Sequence, residues 1–305
     1  MTLDAALVRR APSPEVLLQV RRLALTARGL VDASFAGEYR SVFTGSGMEF
    51  AEVREYQPGD EVRTIDWNVT ARMGRPFVRR YVEERERTVM VAVDASASTR
   101  FATAGRFKGE LAAEFAAVVA LCAIRSNDRV GGLLFTDRIE HVVPPAKGRR
   151  HALRLVRDLL VVEPEGRGTN LAAALDALTR LTTHRAIVFV LSDFAAPDYE
   201  RALQRLARRH DTIAVPVEDP AERRLPDAGV VRFVDPESGV VVEADTSDPR
   251  VRSAYAHRVC DERAARTAIF RRSRVDEIPV RTDRGYAREL LAFFRRRMAR
   301  RGSGR

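Results

Sequence analysis

A valine-rich run, Val89–Val93, stops at an aspartate followed by two spaced serines, reading TVMVAVDASAS from Thr88 to Ser98. Five consecutive apolar residues with no polar face predict a strand buried on both sides, as in a parallel sheet. Asp94, Ser96 and Ser98 fall at its carboxyl end, where open α/β sheets bind their ligands. One carboxylate and two hydroxyls suit a small hard cation. Mg²⁺ (or Mn²⁺) takes oxygen ligands and keeps coordination positions open for water or a partner.

Downstream of this motif, strands and helices alternate. Helical spacing covers about Phe107–Arg125, Arg149–Val161, Leu171–Leu181 and Tyr199–Arg208. Strand-like runs cover Arg129–Phe135, Ile139–Val143, Ala186–Leu191 and Thr212–Val217, the third ending in Ser192-Asp193. Such alternation predicts an α/β fold with a doubly wound, mostly parallel sheet. Val230–Val234 and Val240–Glu243 flank Asp235-Pro236-Glu237-Ser238-Gly239, a hairpin signal. A charged helix over about Pro249–Arg274, a last strand at Ile278–Arg281 and a final helix at Ala287–Arg300 complete the pattern.

Upstream, apolar residues from Val16 to Val31 recur at helical spacing, predicting a helix over Pro14–Asp32. From Phe35 to Arg87 turn signals become frequent, predicting short strands and loops rather than a helical layer. The expected organisation is therefore an N-terminal helix in 1–34, a strand- and loop-rich attachment in 35–87, and an α/β domain in 88–305 with a hairpin insertion near 230–243.

Three separated pieces can converge at one edge of the sheet: Asp94, Ser96 and Ser98; Thr169 in the sequence Gly166-Arg167-Gly168-Thr169-Asn170; and Asp193. Neutral hydroxyls hold a cation without cancelling its charge, so the ion stays electrophilic and can accept a carboxylate from another molecule. The bland counterpart is a hydrogen-bonded cluster that caps the sheet without metal.

This five-residue set resembles the metal-ion-dependent adhesion site of von Willebrand factor type A domains, with no substitution. The resemblance implies that the serines and threonine bind metal directly, and the aspartates directly or through water. The preceding stretch carries Gly47-Met48-Glu49-Phe50, Arg54-Glu55-Tyr56, Pro58-Gly59-Asp60, Arg63, Ile65-Asp66-Trp67, Ala71-Arg72 and Glu83-Glu84-Arg85. It is similar to the domain-of-unknown-function 58 family, which places this signature directly ahead of a type A domain. The family resemblance implies a chaperone-like, non-enzymatic adaptor that works with a MoxR-type AAA-plus ATPase on a protein client. Within the signature, Asp60, Arg63, Asp66 and Arg72 are expected either to form a charge-paired network around Trp67 or to present a docking surface.

Other chemistries are less well supplied. There is no G-x-x-x-x-G-K-[ST] for nucleotide phosphates and no H-E-x-x-H; the five histidines are scattered. A metal-dependent hydrolase of phosphoesters or peptides stays open, although such enzymes usually gather more carboxylates than Asp94 and Asp193. The net charge is +10, and Lys108 and Lys147 are the only lysines. The segment from Arg295 to Arg305 contains six arginines and no acid, so the remainder carries 10 − 6 = +4. A solvated basic tail is expected, with a tether to nucleic acid or a membrane surface as the alternative. No aromatic stripe interleaves the arginines, so specific nucleic-acid readout is not expected. Cys122 and Cys260 are expected to be free, buried thiols in a reducing compartment. No stretch is long and apolar enough to span a bilayer and no signal peptide is evident, so a cytoplasmic location is expected.

Overall fold

The computed structural model describes Arg22, Leu25 and Gly29 and residues 35–43, 48–83, 86–103 and 105–302. The helix expected over Pro14–Asp32 lies largely outside the described residues, although Arg22, Leu25 and Gly29 are helical. The chain divides into two compact units, one spanning Phe43–Arg87 and the other Met1–Val42 with Thr88–Arg305. Helix α1 (Ala36–Phe43) falls almost wholly in the larger unit. Its Tyr39 hydroxyl donates to buried Asp128 at 2.9 Å, and its ring meets Phe294 edge-on.

In the smaller unit, β1 (Met48–Glu55) pairs antiparallel with β2 (Phe77–Glu83). Between them lies helix α2 (Trp67–Met73). The texture of this region predicted no helix, yet both ends of α2 are capped. The Asp66 side chain accepts the amides of Asn68 and Val69, and Gly74 closes the helix at φ 70°. An aspartate at the start and a left-handed glycine just past the end are strong helix boundaries.

The larger unit is built on a sheet of order β10-β7-β6-β3-β4-β5, with β11 also on β7. Its strands are β3 (Thr88–Asp94), β4 (Arg129–Phe135), β5 (Ile139–Ala146), β6 (Ala186–Ser192), β7 (Asp211–Glu218), β10 (Asp276–Glu277) and β11 (Val280–Arg281). All pairings are parallel except β4 with β5. Helices α3 (Lys108–Arg125), α4 (Arg149–Val161), α5 (Leu171–Leu181), α6 (Glu200–Arg209), α7 (Pro249–Arg272) and α8 (Ala287–Gly302) complete the unit. The antiparallel hairpin β8 (Val230–Val234) and β9 (Val241–Asp245) forms a separate sheet.

β3 is buried on both faces, which is why its sequence shows no alternation. Met90 and Ala92 join Leu133, Phe135, Leu175, Leu178 and Leu203 in one core cluster, beside α5 and α6. Helix α3 is buried along nearly its whole length, and its Phe115 ring meets Phe189 and Tyr286. A fully buried phenylalanine contributes about 2–3 kcal/mol relative to leaving it exposed.

Two expectations are corrected. Cys122 is buried, and burial pushes its thiol up to about 12, but Cys260 is exposed on α7. The basic C-terminal segment is not simply solvated. Arg297 pairs with Asp211 and Asp276 at 2.6 Å, Arg300 also reaches Asp276, and Arg295 reaches Glu38. The apolar face of α8, with Leu290, Phe293 and Phe294 buried, presses these arginines onto acidic partners. Among the described residues no helix is long and apolar enough to cross a membrane.

Candidate metal centre

β3 ends at Asp94 and β6 ends at Ser192, and these two strands are neighbours. From β3 the chain proceeds to β4 on one side; from β6 it proceeds to β7 on the other. This reversal is a topological switch point, and the crevice outside the strand ends there is the usual ligand position of such sheets.

Asp94 is 2 % exposed. One oxygen accepts the Ser96 amide at 2.9 Å, and the other accepts the Ser192 hydroxyl at 2.7 Å. Burial, reinforced by the Asp193 charge, pushes the Asp94 carboxyl up to about 6 despite these hydrogen bonds. The hydroxyls of Ser96 and Ser98 lie 3.0 Å apart, and Ser98 donates to Asp193 Oδ2 at 3.0 Å. Asp94, Ser96, Ser98 and Asp193 thus form one hydrogen-bonded cluster, closed through Ser192.

The turn carrying Asp193 is strained. Phe194 has φ 59°, the left-handed region, which costs roughly 1–2 kcal/mol for a residue with a side chain. It is held there because its ring packs on Tyr199 and Phe270 and its amide donates to Ser192 Oγ at 3.1 Å. The Ala195 amide donates to Asp193 Oδ1, fixing the carboxylate.

Thr169 arrives on the 166–170 loop. Glu140 of β5 accepts the amides of Glu165 and Gly166 and the Thr136 hydroxyl, pinning the start of that loop. Gly166 is required sterically, because a Cβ there would overlap the Thr136 and Asp137 side chains. The Ala97 amide donates to the Arg167 carbonyl at 2.9 Å, joining this loop to the Asp94–Ser98 turn. The Thr169 hydroxyl itself donates to Glu237 Oε1 at 2.8 Å rather than to the aspartates.

Sequence reasoning assigned no role here to Lys108, Glu222, Ser192, Glu140 or Glu237. Lys108 is 1 % exposed, and its ammonium donates to Asp193 Oδ2 at 3.0 Å and to Glu222 Oε1 at 2.6 Å. Burial works against that charge, but Asp193 and Glu222 outweigh it and hold the ammonium above its usual range. Burial likewise works against the Asp193 carboxylate, and Lys108 outweighs it and holds the carboxyl below its usual range. One of only two lysines among so many arginines was the available signal for Lys108.

Among the described residues no group of three or more histidine, cysteine, aspartate or glutamate side chains is arranged to hold a metal ion. Any cation-holding capacity here comes from two carboxylates together with hydroxyls. That donor set is all oxygen, which suits Mg²⁺. Asp193 has its charge offset by Lys108, whereas among the described residues the charge that bears on Asp94 is the like charge of Asp193. A buried carboxylate in that position is what a cation would stabilise, so these residues fit the group.

The other expected set lies in the smaller unit. Asp60 accepts a two-pronged contact from Arg54 at 2.6 and 2.8 Å and the Gln57 amide, which hold its carboxyl below the usual range. Asp66 caps α2, while Trp67 is 68 % exposed. Among the described residues, no ion pair of Arg63 or Arg72 joins this group.

The chain thus has a doubly wound sheet with hydroxyls and carboxylates collected at its switch point. The chain belongs to the family described as "Protein of unknown function DUF58", whose profile matches residues 52–265. It is 35 % identical over 283 residues to "Uncharacterized protein Rv1480" of Mycobacterium tuberculosis (strain ATCC 25618 / H37Rv), covering 92 % of this chain and 89 % of that one. Among solved structures it is similar to the conserved hypothetical protein BatB from Bacteroides thetaiotaomicron, with 16 % identity and a TM-score of 0.46 over 70 % of this chain and 99 % of that one. It is also similar to the SpRpn10 VWA domain, with 15 % identity and a TM-score of 0.33 over 43 % and 75 % of the two chains.

Proposed function

We propose that this protein is a non-enzymatic adaptor that binds Mg²⁺ (or Mn²⁺) through Asp94, Ser96, Ser98, Thr169 and Asp193 and uses it to capture an acidic side chain of a partner protein. The observation that carries this reading is the buried Asp94 carboxylate, hydrogen-bonded to Ser96 and Ser192 yet with no cationic side chain against it among the described residues. When bound, the ion would supply an electrophilic position to which a partner's carboxylate can bind. Ser96 and Ser98 supply neutral oxygens. Asp193, whose Oδ2 already accepts from Ser98 and Lys108, contributes charge from a fixed position. A non-enzymatic role is supported by the engagement of three histidines elsewhere: His141 with Asp158, His151 with the Val130 carbonyl and His210 with Thr182. The family resemblance makes a MoxR-type AAA-plus ATPase the partner to test first, in complex assembly or maturation.

The test is capture of that ATPase or a client by the purified chain, in parallel with Mg²⁺ and with chelator. Wild type should retain the partner only with Mg²⁺, and a folded Asp94→Ala variant should retain none. Equal capture by Asp94→Ala in the presence of chelator would overturn the reading.

A further inference from the structure

The β8–β9 hairpin packs sparingly on the rest of its unit. Val230, Val234, Val240, Val241 and Val242 are all at least 42 % exposed. Its base, by contrast, is clamped: the Thr246 amide and hydroxyl both donate to the Gly229 carbonyl, and the Ala228 amide donates to the Thr246 hydroxyl. Its tip is also built. Asp235 accepts the Glu237 amide and the Ser238 hydroxyl, and the Gly239 amide, at φ 74°, donates to the Asp235 carbonyl. The hairpin is therefore a stiff arm with little apolar burial along its length.

What the arm presents is a carboxylate. In the turn Asp235–Val240, Glu237 alone is half-buried while its neighbours are exposed. Its Oε1 accepts the Thr169 hydroxyl at 2.8 Å, and its Oε2 stands over Gly168, 3.9 Å from where a Cβ would sit. Thr169 is the one hydroxyl of the candidate metal set that is turned away from the aspartates. Beside this contact lies a cavity of about 520 Å³, bordered by Ala95, Ala97 and Gly166 on the metal-loop side and Val234 and Pro236 on the hairpin side. The hairpin thus reaches the site by its tip across a gap, rather than by a packed interface.

We propose that Glu237 is the resident occupant of the carboxylate-receiving position of this site. The hairpin caps the site in the free chain, and a partner's acidic side chain enters by displacing Glu237 into the adjoining space. This inference rests on the metal-site reading above. A tethered carboxylate competes at an effective concentration of millimolar order, so only a partner with additional contacts displaces it. The exposed valines of the arm are the part of the hairpin that its displacement would move. Elements with few buried apolar contacts open at low cost.

The experiment titrates Mn²⁺ into the full chain and follows water-proton relaxation, which reports both affinity and the number of waters on the ion. Wild type should hold Mn²⁺ with one water fewer than Glu237→Gln and Glu237→Asp, and about tenfold more tightly, the equivalent of roughly 1.4 kcal/mol. Acetate, added as a carboxylate probe, should displace water from the Mn²⁺ of Glu237→Gln at concentrations that leave wild type unchanged. Because Glu237 is at a hairpin tip, matching circular dichroism of all three proteins controls for folding. Equal affinity and equal water count in wild type and Glu237→Gln would overturn the inference while leaving the metal site standing. Absence of Mn²⁺ uptake by wild type, or uptake undiminished in Asp94→Ala, would overturn the site reading, and the inference with it.

Discussion

Replacing Asp94 with asparagine should stabilise the metal-free protein. The Asp94 carboxyl is pushed from 3.8 up to about 6 by burial and by Asp193. That is about two pH units at roughly 1.4 kcal/mol each, so keeping the side chain ionised at neutral pH costs about 3 kcal/mol. Asparagine removes the charge and can still accept the Ser96 amide. The Ser192 hydroxyl must redirect its bond, at about 1 kcal/mol. Asp94→Asn should therefore be about 2 kcal/mol more stable than wild type at pH 7.5 in chelator. The sign reverses toward acid: the folded-state penalty is present in full above pH 6, shrinks between pH 6 and 3.8, and is absent below 3.8. The advantage should vanish near pH 4.5, about 0.7 unit above 3.8, and become a deficit of up to about 1 kcal/mol below that. Urea unfolding at both pH values measures it. Mg²⁺ at about a hundred times its dissociation constant should add about 2.7 kcal/mol to wild type and nothing to the variant. An Asp94→Asn protein no more stable than wild type at pH 7.5 in chelator would refute the reasoning.

Burial, with Arg209 and Arg185 adding to it, pushes His210 down to about 4, and the ring accepts the Ala186 amide, so the folded state holds it neutral. Its contribution is complete above pH 6.5 and is lost as pH falls toward 4, by up to roughly 3 kcal/mol; the difference in unfolding free energy between wild type and His210→Gln, followed from pH 7 to 4.5, should shrink accordingly, and a constant difference would exclude it. Arg297→Met strands Asp211 and leaves Asp276 only its contact with Arg300; both carboxylates are about three-quarters buried, and the change should cost about 2–3 kcal/mol, at the low end for a buried pair because of that residual exposure and remaining partner. A thermal midpoint unchanged within a degree would show that the C-terminal helix is not held by this pair.

The α/β alternation was legible because strands buried on both faces, such as Val89–Val93 and Ala186–Leu191, leave unbroken apolar runs in the sequence. The convergence of Asp94, Ser96, Ser98 and Asp193 was legible for a related reason, since each sits at or just beyond such a run. Lys108, Glu140 and Glu237 were not legible as site residues. Each meets a partner distant in sequence, Asp193 for Lys108, Gly166 for Glu140 and Thr169 for Glu237, and a side chain's destination is set by packing that local spacing does not encode. Helix α2 was hidden differently: seven residues are too few for a periodic signal, and only Asp66 and Gly74 marked it. The fate of the C-terminal arginines depended on Asp211 and Asp276, which composition counts only as scattered acids.

Strands β10 and β11 have two residues each, yet together with Ile278 between them, whose amide donates to the Ala214 carbonyl, they cover the outer margin of β7. An uncovered margin of that kind offers unpaired backbone groups to any passing strand. The ribosome completes β7 at Glu218 but does not deliver Asp276 until about sixty residues later, roughly 3–12 s at ordinary elongation rates. During that interval β7 has no partner on that margin, and α8, which anchors the seal through Arg297, follows the seal in the chain.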